Sequence, residues 1–165
     1  MHVRRMFLSL MLIAVTACAA PVNAPSPWTA EEAVCAPVFL DLTPFANASE
    51  YYYLSLDGHD PSDSYLSHLV GLARSAGRSE NMRKRSRLNT DQAKEPLLKA
   101  VNLSCGGLRW ETKDRVRVSG SGLIAPLPGQ AFALGGHGEQ YILERRKGTW
   151  VIVRRERFWV SQAAV

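Results

Sequence analysis

Cysteine is scarce here, with three in 165 residues, and Cys18, Cys35 and Cys105 have no paired spacing with the four histidines that would suggest a zinc site. Serines are more numerous, but none lies in a nucleophile elbow. Ser119-Gly120-Ser121-Gly122 has the wrong spacing for one. The glycines at 120, 122, 135, 136 and 138 are followed by no Lys-Ser/Thr helix start, so they build no phosphate loop, and loop flexibility is the expected reason for them. No internal repeat is found, and no metal or cofactor is expected. Past the first fifteen residues there is no apolar run long enough to span a bilayer. Aromatic residues are absent from the most basic stretch, which argues against nucleic acid as a partner.

The amino terminus is better defined. Arg4 and Arg5 precede an uncharged run from Met6 to Val15, apolar on every face and closed by small residues. A basic head followed by about 12 apolar residues is the layout of a secretory signal, shorter than the roughly 20 residues of a membrane span. Val15-Thr16-Ala17-Cys18 resembles a bacterial lipobox, with Val15 where Leu is commoner. It implies a signal peptide over residues 1–18 and diacylglycerol on the Cys18 thiol. Ala19 stands where an aspartate would mark inner-membrane retention. By resemblance to Gram-negative lipoproteins, the expected address is therefore the outer membrane's inner leaflet, facing the periplasm. The competing cleavage, at Val22-Asn23-Ala24, would release a soluble periplasmic protein. Residues 19–27, with three prolines, read as an extended tether.

With Cys18 acylated or removed, Cys35 and Cys105 remain. In an oxidising compartment they are expected to pair, the alternative being two buried thiols. The formal charge of +5 loses Arg4 and Arg5 with the signal, leaving eighteen basic against fifteen acidic residues, an ordinary excess.

Residues 28–165 are expected to form one domain. Thr29 and Glu32 match a capping box, and Ala30, Val34, Val38 and Leu42 share a helical face that Pro37 should kink or end. Tyr51–Leu56 reads as a strand stopped by Asp57-Gly58. Asp60 as cap, Pro61 as first helical residue and Asp63 in the first turn open a second helix. Tyr65, Leu66, Leu69 and Val70 form its apolar stripe, and Gly71 or Gly77 ends it. From about residue 97 the period becomes two: Leu108 and Trp110 alternate with Arg109 and Glu111, and Val116 and Val118 with Arg115 and Arg117. Tyr141-Ile142-Leu143 and Trp150-Val151-Ile152-Val153 flank a hairpin turn. Trp150, Ile152, Phe158 and Val160 share a face unless a bulge intervenes. The expected fold is α+β, with short N-terminal helices packed on one face of a bent antiparallel sheet of about four to six strands.

Tyr53-Leu54-Ser55-Leu56, Gly58-His59-Asp60-Pro61-Ser62-Asp63 with Leu66, Gly138 and Tyr141, Gly148-Thr149-Trp150-Val151 and Phe158-Trp159-Val160-Ser161 run through most of residues 28–161. In these the chain resembles a group of small uncharacterised bacterial envelope lipoproteins that share the Asp-Pro-Ser-Asp helix start and the terminal hairpin. The hairpin is also similar to SnoaL-like and ketosteroid-isomerase-like domains, which implies a cone-shaped pocket but carries no catalytic residue across.

Candidates for chemistry are few. His59 beside Asp60, His68 on the exposed side of its helix, and His137 in a glycine-rich turn are the general-base candidates, and a structural role is the favoured reading of each. Arg74, Arg78, Arg83, Lys84, Arg85 and Arg87, against the single Glu80, form the strongest charge cluster. It is either a solvated loop or a contact for anionic lipid, an anionic envelope polymer or an acidic envelope protein. The leading functional expectation is a non-enzymatic binding module at the membrane. A periplasmic inhibitor or immunity protein against a delivered toxin, or a ligand-binding or catalytic pocket domain, are the alternatives.

Overall fold

The computed structural model describes residues 27–43, 50–128 and 135–162. The lipobox and nearly all of the tether lie outside them. In chain order the elements are α1 (Ala30–Leu42), β1 (Glu50–Leu56), α2 (Asp63–Ser75), β2 (Met82–Lys84), a 3-10 turn (Arg85–Arg87), α3 (Leu88–Lys94), β3 (Lys99–Thr112), β4 (Arg115–Ile124), β5 (Gly135–Arg146) and β6 (Thr149–Gln162). The fold is α+β, with one six-stranded sheet in the order β2-β1-β3-β4-β5-β6. Among the described residues no helix is long and apolar enough to cross a membrane.

The sheet is mixed rather than antiparallel throughout. β1 runs parallel to both β2 and β3, and only the pairs from β3 to β6 alternate in direction. A helix between two strands carries the chain back to the end it left, which is what a parallel neighbour needs. The helix over 63–75 thus sets β2 parallel to β1, and the return through α3 does the same for β3.

Both long helices start as their residue types dictate, with one shift. Thr29 caps α1: its hydroxyl accepts the Glu32 amide at 3.1 Å, and the Glu32 carboxylate accepts the Thr29 amide at 3.0 Å. Pro37 neither ends nor divides α1. Val34 and Cys35 before it, and Val38, Phe39 and Leu42 after it, are all buried on the sheet. Packing on both sides outweighs the roughly 3 kcal/mol that an interior proline costs. Ala30, expected on that face, is exposed.

α2 begins later than Asp60 and Pro61 suggested. Ser62 is the cap, its hydroxyl accepting the Tyr65 amide, while Asp60 accepts hydrogen bonds from the Ser86 amide and hydroxyl. Tyr65, Leu69 and Ala73 are its buried stripe, with Leu66 and Val70 at its margins. Gly77 ends it at φ +63°, and the amides of Gly77 and Arg78 bond back to the carbonyls of Arg74 and Ala73.

The core lies between α1, α2 and one sheet face. Leu54, Leu103, Val116, Val118, Tyr141 and Leu143 come from the strands. The sulfurs of Cys35 and Cys105 are bonded, joining α1 to β3 across 70 residues. Opposite Cys105 stands Gly120, where a Cβ would lie 2.8 Å from both Val38 and Tyr141, so a larger residue would lift α1 from the sheet. Leu88 of α3, with Leu98, Ala100 and Ala125, packs around Tyr53 in a smaller cluster.

Hairpin chemistry sets the long strands. Lys147 and Gly148 join β5 to β6 with φ of +50° and +82°, the two left-handed positions of a tight turn that matches strand twist. Bulges in β6 fall within the stretch thought to keep one face. Trp150 and Ile152 pack on the core, Val160 regains that side, and Phe158, the bulged residue, does not share it. The glycines at 120, 122, 135, 136 and 138 belong to strands β4 and β5, not to loops.

The Glu32 carboxylate joins the two helix starts, since it also accepts the Ser62 hydroxyl at 2.8 Å. Burial pushes this carboxyl up, but the Thr29 amide and Ser62 hydroxyl outweigh it and hold it below its ordinary 4.5. A depressed carboxylate stabilises the fold above about pH 4.5 and surrenders that stability as pH falls through the lower native value. Glu32→Gln should therefore cost about 1 kcal/mol at pH 7 and nothing once the native carboxyl is protonated, as read from urea unfolding across acid pH. Replacing both Cys35 and Cys105 with alanine should lower stability by about 2–5 kcal/mol, and a reductant should lower the unmodified protein equally while leaving the variant unchanged.

Candidate functional site

Four of the six cations of residues 74–88 already have partners within the fold. Arg74 pairs with Glu80 at 2.6 Å, Lys84 with Asp63 at 2.8 Å, and Arg78 donates to the Thr43 carbonyl at 2.8 Å. Arg83 donates to Asp91 at 2.7 Å and lies 4.0 Å over the Tyr51 ring, while Tyr53 donates to the same carboxylate at 2.9 Å. Burial pushes Asp91 up, yet Arg83 and the Tyr53 hydroxyl bring it below the usual carboxylate range. The side chains of Arg85 and Arg87 are exposed, and neither makes a salt bridge with a described carboxylate. Part of the stretch is ordered as β2 and the 3-10 turn, so it is not simply a solvated loop.

The three histidines lie in separate places. His59 occupies the turn after β1, where its backbone bridges to Leu56. His68 is half-buried rather than exposed, because its ring stacks on Trp28 at 4.9 Å. His137 lies within β5, not in a turn. Among the described residues no cluster of histidine, cysteine and carboxylate groups is placed to hold a metal ion.

What the fold does build is a polar network on the core side of β5 and β6. Glu139 is only 2% exposed, and accepts from the Tyr141 hydroxyl at 2.9 Å and from Arg157 Nε at 3.1 Å, with Arg155 Nε at 3.3 Å. Asp41, from α1, accepts from Arg155 at 2.8 Å and from the same Tyr141 hydroxyl at 3.1 Å. Burial, then the neighbouring Asp41 and Glu139 carboxylates, drives Tyr141 well above its ordinary value, so it stays a neutral donor. Hydrogen bonding to Asp41 raises Arg155 further. Sequence reasoning missed this group. The available signal was the charged run Arg154-Arg155-Glu156-Arg157 inside a strand, where alternation fails.

Beyond the end of α1 the described residues leave the same sheet face uncovered, as a cleft of about 410 Å³. Its floor is apolar: Leu42, Val101, Leu103, Ile124 and Val160. Glu50, Tyr52, His137 and Arg157 bring polar groups to it, with the Tyr52 hydroxyl donating to Glu50 at 2.9 Å. Gly122 gives the His137 ring room, since a Cβ there would lie 3.2 Å from it. Among the described residues no hydrogen bond joins His137 to a carboxylate. An apolar floor with a few convergent polar groups suits a small amphipathic molecule.

No family model, curated protein or solved structure matches this chain.

Tyr141→Phe leaves Glu139 and Asp41 without their shared neutral donor. It should cost about 1–2 kcal/mol in urea unfolding, with the Cys35–Cys105 bond intact in the variant.

Proposed function

We propose that the protein is a lipid-anchored binding module of the bacterial envelope, exported by its amino-terminal signal and held at the membrane through Cys18. The Cys35–Cys105 bond carries the reading, because a disulfide at the centre of a core belongs to an oxidising compartment. The lipobox-like Val15-Thr16-Ala17-Cys18 supports the anchor from sequence. Binding rather than turnover is supported by the separate placement of His59, His68 and His137 and by the amphipathic cleft between α1's end and β6. The ligand class is a small molecule with an apolar body and a polar end directed to Glu50, His137 and Arg157. The cleft as the described residues form it is open rather than deep and closed, which favours a carrier or sensor over the catalytic cone of the SnoaL-like type.

Cys18→Ala should move the protein from the membrane fraction to the soluble periplasmic fraction and abolish its labelling with radioactive palmitate. Retention of both in the variant would refute the anchor. If labelling is absent even in the unmodified protein, cleavage falls at the later site.

A further inference from the structure

Three of the chain's four tryptophans share one end of the molecule. Trp28 stacks on His68 and meets Tyr65 edge-on at 5.7 Å. Trp150 begins β6 and lies 5.6 Å from Trp110 of β3, which is 48% exposed. Between Trp28 and Trp150 runs an apolar groove of about 430 Å³, walled by Pro37 and Leu40 of α1 and by His68 and Leu72 of α2. The two hairpin tips at this end carry exposed Lys113, Arg145, Arg146 and Lys147 beside Asp114, with Glu144 bound to Arg146 at 2.9 Å. Tryptophans flanked by lysine and arginine are the composition of a bilayer interface, where the ring sits at the headgroup level and the cation reaches phosphate.

We propose that this tryptophan-rich end is a membrane-docking surface that lies on the anionic bilayer to which the chain is anchored. The inference rests on the anchor proposed above. With the acyl group on Cys18, nine residues reach Pro27, a span of at most about 30 Å, and the described chain begins there, next to Trp28. Confinement to that distance raises the effective concentration of the surface at the bilayer, so a contact weak by itself is populated. The cations suit anionic headgroups and the rings suit the interface. The far end, where β6 carries Trp159 packed on Gly138, then points away from the membrane.

Trp159 supplies the control, since nine residues of strand put it roughly 30 Å from Trp150. The test uses the full lipidated protein in phosphatidylethanolamine–phosphatidylglycerol vesicles with brominated acyl chains, compared with unbrominated ones. In four variants that each keep one tryptophan, the other three being phenylalanine, Trp28, Trp110 and Trp150 should lose emission and Trp159 should keep it. The unmodified protein, which needs no refolding test, should lose part of its emission and retain the remainder. Lys147→Asn, which suits the turn, should reduce the docked-to-undocked ratio on the order of fivefold. Protein that floats with the vesicles while no tryptophan is quenched would overturn the docking and leave the anchor standing. An unquenched but strongly blue-shifted Trp28 in that case would assign the groove to residues 19–26. Failure to float at all would overturn the anchor and the docking together.

Discussion

The bond from Cys35 to Cys105 fixes where α1 crosses the sheet, and the rest of the surface follows from that position. The helix is drawn onto β3 at one point, and Gly120 on the neighbouring strand removes the side chain that would hold it off. Thirteen residues of helix are about 20 Å long, against strands of 14 residues that reach more than twice that. A short rod on a long sheet leaves part of that surface uncovered by the described residues. Past Leu42 the uncovered part is the amphipathic cleft, and along the flank of α1, beside Pro37 and Leu40, it is the groove between Trp28 and Trp150.

The second constraint is the charge carried into the core side of β5. Glu139 occupies an inward position between Tyr141 and His137, where an apolar residue would pack without hydrogen-bond demands. Its carboxylate is tolerable only because donors surround it, and two of those come from β6. The bulge between Ile152 and Arg154 shifts the register of that strand, which aligns Arg155 with Tyr141 and Arg157 with Glu139. Bulge and buried acid thus depend on one another. Without the register shift the guanidinium groups would face away, and without the acid the bulged strand would turn two cations toward an apolar surface.

Much of this was legible in the chain itself. The Thr29–Glu32 cap, the Cys35–Cys105 pairing, the alternation through Val116 and Val118, and the hairpin at Lys147-Gly148 are local or nearly forced by residue type. What escaped depends on neighbours far away in sequence. Pro37 looked like a break because much of the packing that holds the helix on both sides of it comes from strands sixty or more residues later. His68 looked exposed because Trp28, its stacking partner, lies forty residues earlier. The parallel strands were missed although the helix between them implied the return, since no single residue announces a strand's direction. The polar network was hidden for the same reason: Asp41 and Arg155 are 114 residues apart.

Charge shows most clearly how proximity along the chain can mislead. A partner responds to net charge within about a Debye length of the surface, roughly 8 Å at physiological salt, not to the density of cations in the sequence. Residues 74–88 place six cations together, yet Glu80, Asp63 and Asp91 neutralise three of them, and the Thr43 carbonyl takes a fourth. The hairpin tips gather their cations from distant stretches instead. Lys113 and Arg145–Lys147 lie thirty residues apart in sequence and meet only because β4 and β5 pair from Arg115 and Glu144 onward. An electrostatic surface written by strand pairing has no signature in a window of sequence. At this end the cations come to lie beside three tryptophans that are themselves scattered from residue 28 to residue 150.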